Sequence, residues 1–211
     1  MRLTVLGVGS LRCGLPIMAS LGNYFGERQL KIVAADPDPE RLDLMVRLAR
    51  TLFTVNKCTH TIYPCTDLSE AFLVCDRAIL SVGRHSARKY FKKARLLPRE
   101  LDEPKVHSQE LSAQMDQWVE EFLLEFREPL AQVPEVLSLQ RPSVHVPLEH
   151  YRRLDNWPEE PNEVERSELP LAIVRLVHSE DSAFETLSRY AKSPLVRWLD
   201  QPDSATLVHS L

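Results

Sequence analysis

Gly7-Val8-Gly9-Ser10 and Asp36, which stands 29 residues after Gly7, are the positions whose types and spacing could do chemistry. Glycines at such a turn let the backbone bend tightly and approach a pyrophosphate, whose charge is stabilised by free N–H groups and by the start of a helix. Leu11 and Arg12 then fall in the first helical turn, and Arg12 occupies the place of a third motif glycine. A carboxylate at Asp36 is suited to accept hydrogen bonds from the ribose hydroxyls of an adenosine. It would also repel a phosphate on that ribose, so the residue favours NAD over NADP as the cofactor.

That chemistry requires a strand before the glycines, a helix after them and a second strand ending at Asp36. The chain supplies this order. Arg2–Leu6 is a run of leucine and β-branched residues, which predicts a buried strand, and Ser10 to Asn23 predicts a helix. Leu30–Ala35 predicts a second buried strand. Asp38-Pro39-Glu40 is a helix start, with Asp38 as N-cap and Pro39 in the first helical position. Leu42, Met45, Val46, Ala49 and Phe53 follow at helical spacing. His60–Tyr63 predicts a third strand, Asp67-x-x-Glu70 a short helix through Cys75, and Ala78–Val82 a fourth strand. The alternation predicts an α/β fold, a Rossmann-type parallel sheet with helices on both faces.

Beyond Val82 the pattern changes. Gly83–Arg95 predicts a basic helix and Pro98–Pro104 a break. Leu111, Met115, Trp118, Val119, Phe122 and Phe126 form the apolar stripe of a long helix ended by Pro129. Glu135–Leu139 reads as a fifth strand, and Pro142–Pro170 as an extended, acidic connection. Leu171–Val177, Ala183–Ala191 and Leu195–Leu199 predict short terminal helices. The expected organisation is a Rossmann domain over 1–141 and a Pro-rich, mostly helical extension over 142–211.

Charge follows the same division. Residues 1–97 hold 15 Lys and Arg against 8 Asp and Glu, whereas residues 98–211 hold 11 against 22. All six glycines lie at or before Gly83, and 11 of the 15 prolines lie from Pro98 onward. The basic, glycine-bearing part suits an anionic ligand. With 211 residues, 44% of them hydrophobic, and no apolar run near the roughly 18 residues a membrane helix needs, the chain reads as globular. Cys13, Cys58, Cys65 and Cys75 include no CxxC pair, and MRLTVLGVGS lacks the pattern of a secretory leader. A reduced, cytoplasmic protein with no metal is the expectation.

The stretches VLGVGSLRCGLPI, VAADPDPERLDLMVRLAR and TDLSEAFLVCDRAILSVGRHSAR resemble the N-terminal portion of family-4 glycoside hydrolases over about residues 1–90. That family comprises NAD-dependent alpha-glucosidases, alpha-galactosidases and 6-phospho-glucosidases, related in fold to lactate and malate dehydrogenases. The resemblance implies that Gly7, Gly9 and Ser10 meet the pyrophosphate, Asp36 the ribose, and Ser81, Val82 and Gly83 the cofactor's side. It puts Arg88, and beside it Arg84, toward a substrate or phosphate. Family members also need a cysteine and a histidine as metal ligands. Here Leu139-Gln140-Arg141-Pro142-Ser143 stands at the metal turn without a cysteine, and every cysteine precedes residue 76. A truncated relative without metal-dependent glycoside hydrolysis is therefore expected.

Three functions follow as alternatives: a module that holds NAD(H), a small NAD-dependent oxidoreductase of a sugar phosphate or hydroxy acid with a site shared between subunits, and a non-catalytic association module. The basic helix could be a solvated face paired with the acidic half, a phosphate site, or a nucleic-acid contact, the last disfavoured by the overall acidity. His145 and His150 have poor metal spacing, and Ser81, Ser86 and Ser143 lack a nucleophile elbow. Tyr151 and Asp155 could form an acid–base pair if helical. Trp157 and Trp198 could dock on the core or form a homodimer surface.

Overall fold

The computed structural model describes residues 1–22, 24, 29–93, 109–154, 195, 198 and 199. Its strands are β1 (Arg2–Leu6), β2 (Lys31–Ala35), β3 (Thr61–Cys65), β4 (Arg77–Leu80), β5 (Glu135–Ser138) and β6 (Arg152–Arg153). The helices are α1 (Leu11–Gly22), α2 (Pro39–Val55), α3 (Arg84–Lys93), α4 (Gln109–Glu125) and α5 (Arg127–Ala131). The six strands form one sheet in the order β3-β2-β1-β4-β5-β6, and every pairing is parallel. This is the α/β order of a Rossmann-type fold, with its reversal of strand order between β1 and β4.

Both faces of the sheet are covered, which is why β4 and β5 are buried throughout and β1 at all but its first residue. Side chains nevertheless alternate. Leu3, Val5, Ile32, Ala34, Ile79 and Leu137 join the core built with α1 and α2. Leu6, Ala35, Ala78, Leu80 and Val136 join the other, built with Trp118, Val119, Phe122 and Leu123 of α4. On α2 the predicted stripe Leu42, Met45, Val46, Ala49 and Phe53 is buried, with Leu48 and Leu52 beside it. Asp38 caps this helix, its carboxylate accepting from the amides of Glu40 and Arg41, and Pro39 opens the first turn.

Three elements differ from the sequence expectation. Residues 67–75 form turns in place of a helix. Ser69 donates from both its amide and its hydroxyl to Asp67, and Thr4 Oγ1 donates to the Ala71 carbonyl at 2.7 Å. The Asp67–Ser69 bonds and the distant Thr4 hydroxyl take groups a helix would need. Pro129 does not end α4, which stops at Glu125. It lies in the first turn of α5, where a missing N–H costs nothing. Finally, the segment expected to be extended contains a turn at 142–144 and then β6, which pairs Leu137 with Arg152. Two arginines carry no apolar pattern from which a strand could be read. The expectations for 94–108 and for 155–194, Asp155 and Trp157 among them, lie outside the described residues.

At the N-terminal end of the strands, Arg77 is fully buried. Its guanidinium donates to the carbonyls of Trp198 (2.7 Å) and Leu199 (3.1 Å), stands 5.3 Å over the Trp198 ring, and meets Glu135 Oε2 at 3.3 Å. Leu195, Trp198 and Leu199 are buried in the α1–α2 core. Trp198→Ala is expected to lower the free energy of unfolding by about 3–5 kcal/mol, read by urea denaturation. An unchanged midpoint would contradict this docking.

Candidate functional site

The site begins where β1 runs out. Gly7 has φ +85°, and a Cβ there would stand 2.5 Å from Val82 Cα, so the turn requires glycine both conformationally and sterically. Its amide donates to the Ala35 carbonyl at 2.8 Å, which holds the turn against the end of β2. Ser10 caps α1, its hydroxyl accepting from the Cys13 amide at 3.2 Å. Leu11 and Arg12 form the first helical turn, whose amides have no intrahelical acceptor. A positive helix end therefore faces the C-terminal edge of the sheet at the β1/β4 reversal, the place where open α/β sheets take their ligands.

The missing third glycine has a substitute that the sequence reading passed over. A Cβ on Gly14 would overlap the Val8 carbonyl oxygen. Gly14 thus permits the close helix-to-loop packing that the third motif glycine usually provides, two residues later than the standard pattern. A glycine inside an apolar helix was the available signal.

Asp36 is fully buried and turned inward. One oxygen accepts from the Gly9 amide (2.8 Å) and the Ser86 hydroxyl (2.9 Å), and the other from the Asp38 amide (2.9 Å). A Cβ on Gly9 would lie 2.8 Å from this carboxylate, so Gly9 is glycine because Asp36 sits over it. Burial pushes the Asp36 carboxyl above its ordinary value of 3.8, against the pull of these three hydrogen bonds. The neighbouring Asp38 is also desolvated, yet His85, the Arg41 amide and Lys89 hold it below the ordinary value.

After β4, Ser81 is buried, with its hydroxyl donating to the Leu6 carbonyl at 3.1 Å. The Gln140 side-chain amide stands 2.7 and 2.9 Å from the Val82 backbone N–H and carbonyl, accepting from the first and donating to the second in the one orientation that satisfies both. Gly83 has room, since a Cβ there would be 3.6 Å from Ser10. Arg84 donates from Nε (3.0 Å) and Nη2 (2.8 Å) to Asp116 Oδ1 on α4, and Ser143 donates to the other oxygen at 2.8 Å. Ser10, Cys13, Gly83, Arg84, Asp116 and Gln140 line a cavity of about 180 Å³ at the mouth of α1.

The structure thus brings Gly7, Gly9, Ser10, Asp36, Ser81, Val82, Gly83 and Arg84 to one edge of the sheet. It sends Arg88 elsewhere, to a separate cleft with His85 and Lys89. Asp116 joins the site without having been read from the sequence, although an acid beside the apolar stripe of α4 was a usable clue; Gln140 and Ser143, read from the sequence only as part of a turn without a cysteine, join it as well. His145 and His150 are exposed. Among the described residues no group of three His, Cys, Asp or Glu is arranged to hold a metal ion, and no helix is long and apolar enough to cross a membrane.

Fold and site define a Rossmann-type α/β protein with a glycine turn at its strand-order reversal. No protein-family model matches the chain, and no curated protein matches it. Among solved structures it is similar to the 6-phospho-beta-glucosidase of Thermotoga maritima, solved with NAD and glucose-6-phosphate (14% identity, TM-score 0.48, 67% of this chain and 34% of that one). It is also similar to a 6-phospho-alpha-glucosidase from gut microorganisms, solved with NAD and Mn2+ (17%, 0.46, 67% and 33%). A third is the apo lactate dehydrogenase of Trichomonas vaginalis (18%, 0.44, 67% and 38%). The alignments span about a third of the length of these proteins.

Asp36 also has a measurable signature. Its proton is held more tightly in the folded chain than in the unfolded one, so its contribution to stability is full below pH 3.8 and is lost as pH rises through the raised folded value. The stability of the native sequence relative to Asp36→Asn, from urea denaturation, is expected to decline with rising pH above about 4. A difference independent of pH, or one that grows with pH, would contradict the inward placement.

Proposed function

We propose that this chain binds a nicotinamide dinucleotide at the C-terminal edge of its sheet. One observation carries the reading: the glycine turn at Gly7–Gly9 delivers the first turn of α1, capped by Ser10, to an open cavity at the β1/β4 reversal. An anion with two phosphates fits that arrangement because free amides and the helix end stabilise charge without a cation. The pyrophosphate would lie against Gly9, Ser10 and the backbone of Leu11 and Arg12. The nicotinamide end would extend past Ser81–Gly83 into the cavity beside Arg84. The adenosine end would pass Asp36 toward Pro37.

In this reading Asp36 shapes the site by positioning Gly9 and Ser86. The chemistry such a cofactor supplies when bound is hydride transfer, and the chain's own part is to bind and orient it. Arg84 is held by Asp116, so its charge is fixed at the cavity rim. The chain is proposed to hold the dinucleotide without the metal-dependent hydrolysis of family-4 enzymes, as a cytoplasmic protein.

Gly83 offers a test that leaves the fold intact, because its Cβ position is in ordinary contact only. Titration with NADH and NADPH, followed by tryptophan fluorescence, is expected to saturate for the native chain. Gly83→Glu, which sets a carboxylate opposite the end of α1, is expected to weaken binding at least tenfold with an unchanged melting temperature. No saturable change with either dinucleotide would overturn the proposal.

A further inference from the structure

The turn after β5 carries a cation that dinucleotide binding does not call on. Arg141 lines the cavity at the mouth of α1, together with Ser10, Gly83, Arg84 and Asp116. The other two charged groups among the described lining residues hold each other. Arg84 donates twice to Asp116 Oδ1, and Ser143 donates to Oδ2, so both oxygens of that carboxylate are engaged. Among the described residues no hydrogen bond or ion pair takes up the Arg141 guanidinium.

The backbone beneath this side chain is held from several directions. The Val144 amide donates to the Arg141 carbonyl at 3.0 Å and closes the turn. Arg153 of β6 donates to the carbonyls of Pro142 (3.3 Å) and Val144 (2.9 Å). Ser143 ties the turn to α4 through Asp116, Gln140 ties it to the Val82 backbone, and Val144 is buried. Pro142 fixes its own φ. An exposed guanidinium on a loose loop contributes little to binding, because ordering it costs entropy. On a fixed turn at the wall of a cavity only the side chain remains to be ordered.

The chemistry of the group names its ligand. A guanidinium offers N–H groups in a planar fork that matches the two oxygens of a carboxylate. The cavity, about 180 Å³, lies below the roughly 300–1,000 Å³ of sites for drug-sized molecules, so the ligand is small. Val82, Val119, Leu139 and Val144 give it an apolar lining suited to a short carbon chain. A dianionic phosphate fits less well, because the Asp116 carboxylate shares the cavity. We infer that Arg141 determines specificity in a substrate subsite for a small monocarboxylate, whose carboxylate sits on its guanidinium. The subsite stands on the turn and the cavity; its place beside a nicotinamide rests on the dinucleotide reading above.

Glycolate is titrated into the full chain with and without saturating NADH, a pair in which both members are already reduced, and tryptophan fluorescence is followed. Ethylene glycol, its uncharged counterpart, and inorganic phosphate are titrated alongside. Glycolate is expected to saturate and to bind at least tenfold more tightly than phosphate, with no saturable change for ethylene glycol. Arg141 is exposed, so its replacement leaves the core intact. Arg141→Gln is expected to weaken glycolate at least tenfold, to leave NADH within twofold, and to melt at the native temperature. Glycolate binding that is unchanged in Arg141→Gln, no tighter than phosphate, or absent from a chain that binds NADH would overturn the carboxylate subsite. Glycolate binding that depends on Arg141 in a chain that takes no NADH would overturn the dinucleotide reading alone. Failure of both ligands would overturn both.

Discussion

The carboxylate of Asp36 is the contact on which the functional edge of this molecule depends. It ties together three segments that are far apart in sequence: the glycine turn through Gly9, the approach to α2 through the Asp38 amide, and α3 through Ser86. Burying a carboxylate is costly unless its oxygens are satisfied. Here three donors offset the desolvation, and the residual imbalance is visible as a raised pKa. Without the carboxylate, the Gly9 amide and the Ser86 hydroxyl would lose the acceptor they share. The glycine at position 9 belongs to the same constraint, because any side chain there would collide with Asp36.

A second buried ionic group stands at the other end of the strands. Arg77 anchors the carbonyls of Trp198 and Leu199 and pairs with Glu135. The sheet therefore has a cationic lock at the N-terminal end of its strands and an anionic one at the C-terminal end. The first binds a distant part of the chain to the α1–α2 core. The second holds the loops from which a ligand site is built. Between them the parallel register and the alternation of Leu3, Val5 and Leu6 onto opposite cores fix where each loop emerges. The site is consequently built on rigid strand ends, with Gln140 clamping Val82 and Asp116 clamping Arg84.

What was legible in the sequence is what local chemistry dictates. The first five strands, the Asp38 cap with Pro39, the stripe of α2 and the turn at Gly7 depend on neighbours within a few residues or on simple periodicity. What was illegible depends on partners far along the chain. The direction in which the Asp36 carboxylate points depends on Ser86, 50 residues away, and no local pattern carries that information. The turns of 67–75 depend on the Thr4 hydroxyl reaching the Ala71 carbonyl. Asp116 and Ser143 enter the site only because α4 and the turn after β5 pack beside β4. β6, two arginines long, has no pattern at all and exists because β5 offers it an edge.

The central claim is that the glycine turn and the first turn of α1 receive a dinucleotide's pyrophosphate. Amide chemical shifts of the full chain during a titration with NADPH and NADH would test it residue by residue. Saturable shifts are expected at Gly7–Cys13 and Ser81–Arg84, with the amides of α2 beyond its first turn unmoved. Saturation with the Gly7–Cys13 amides unchanged, or no shift anywhere, would contradict it.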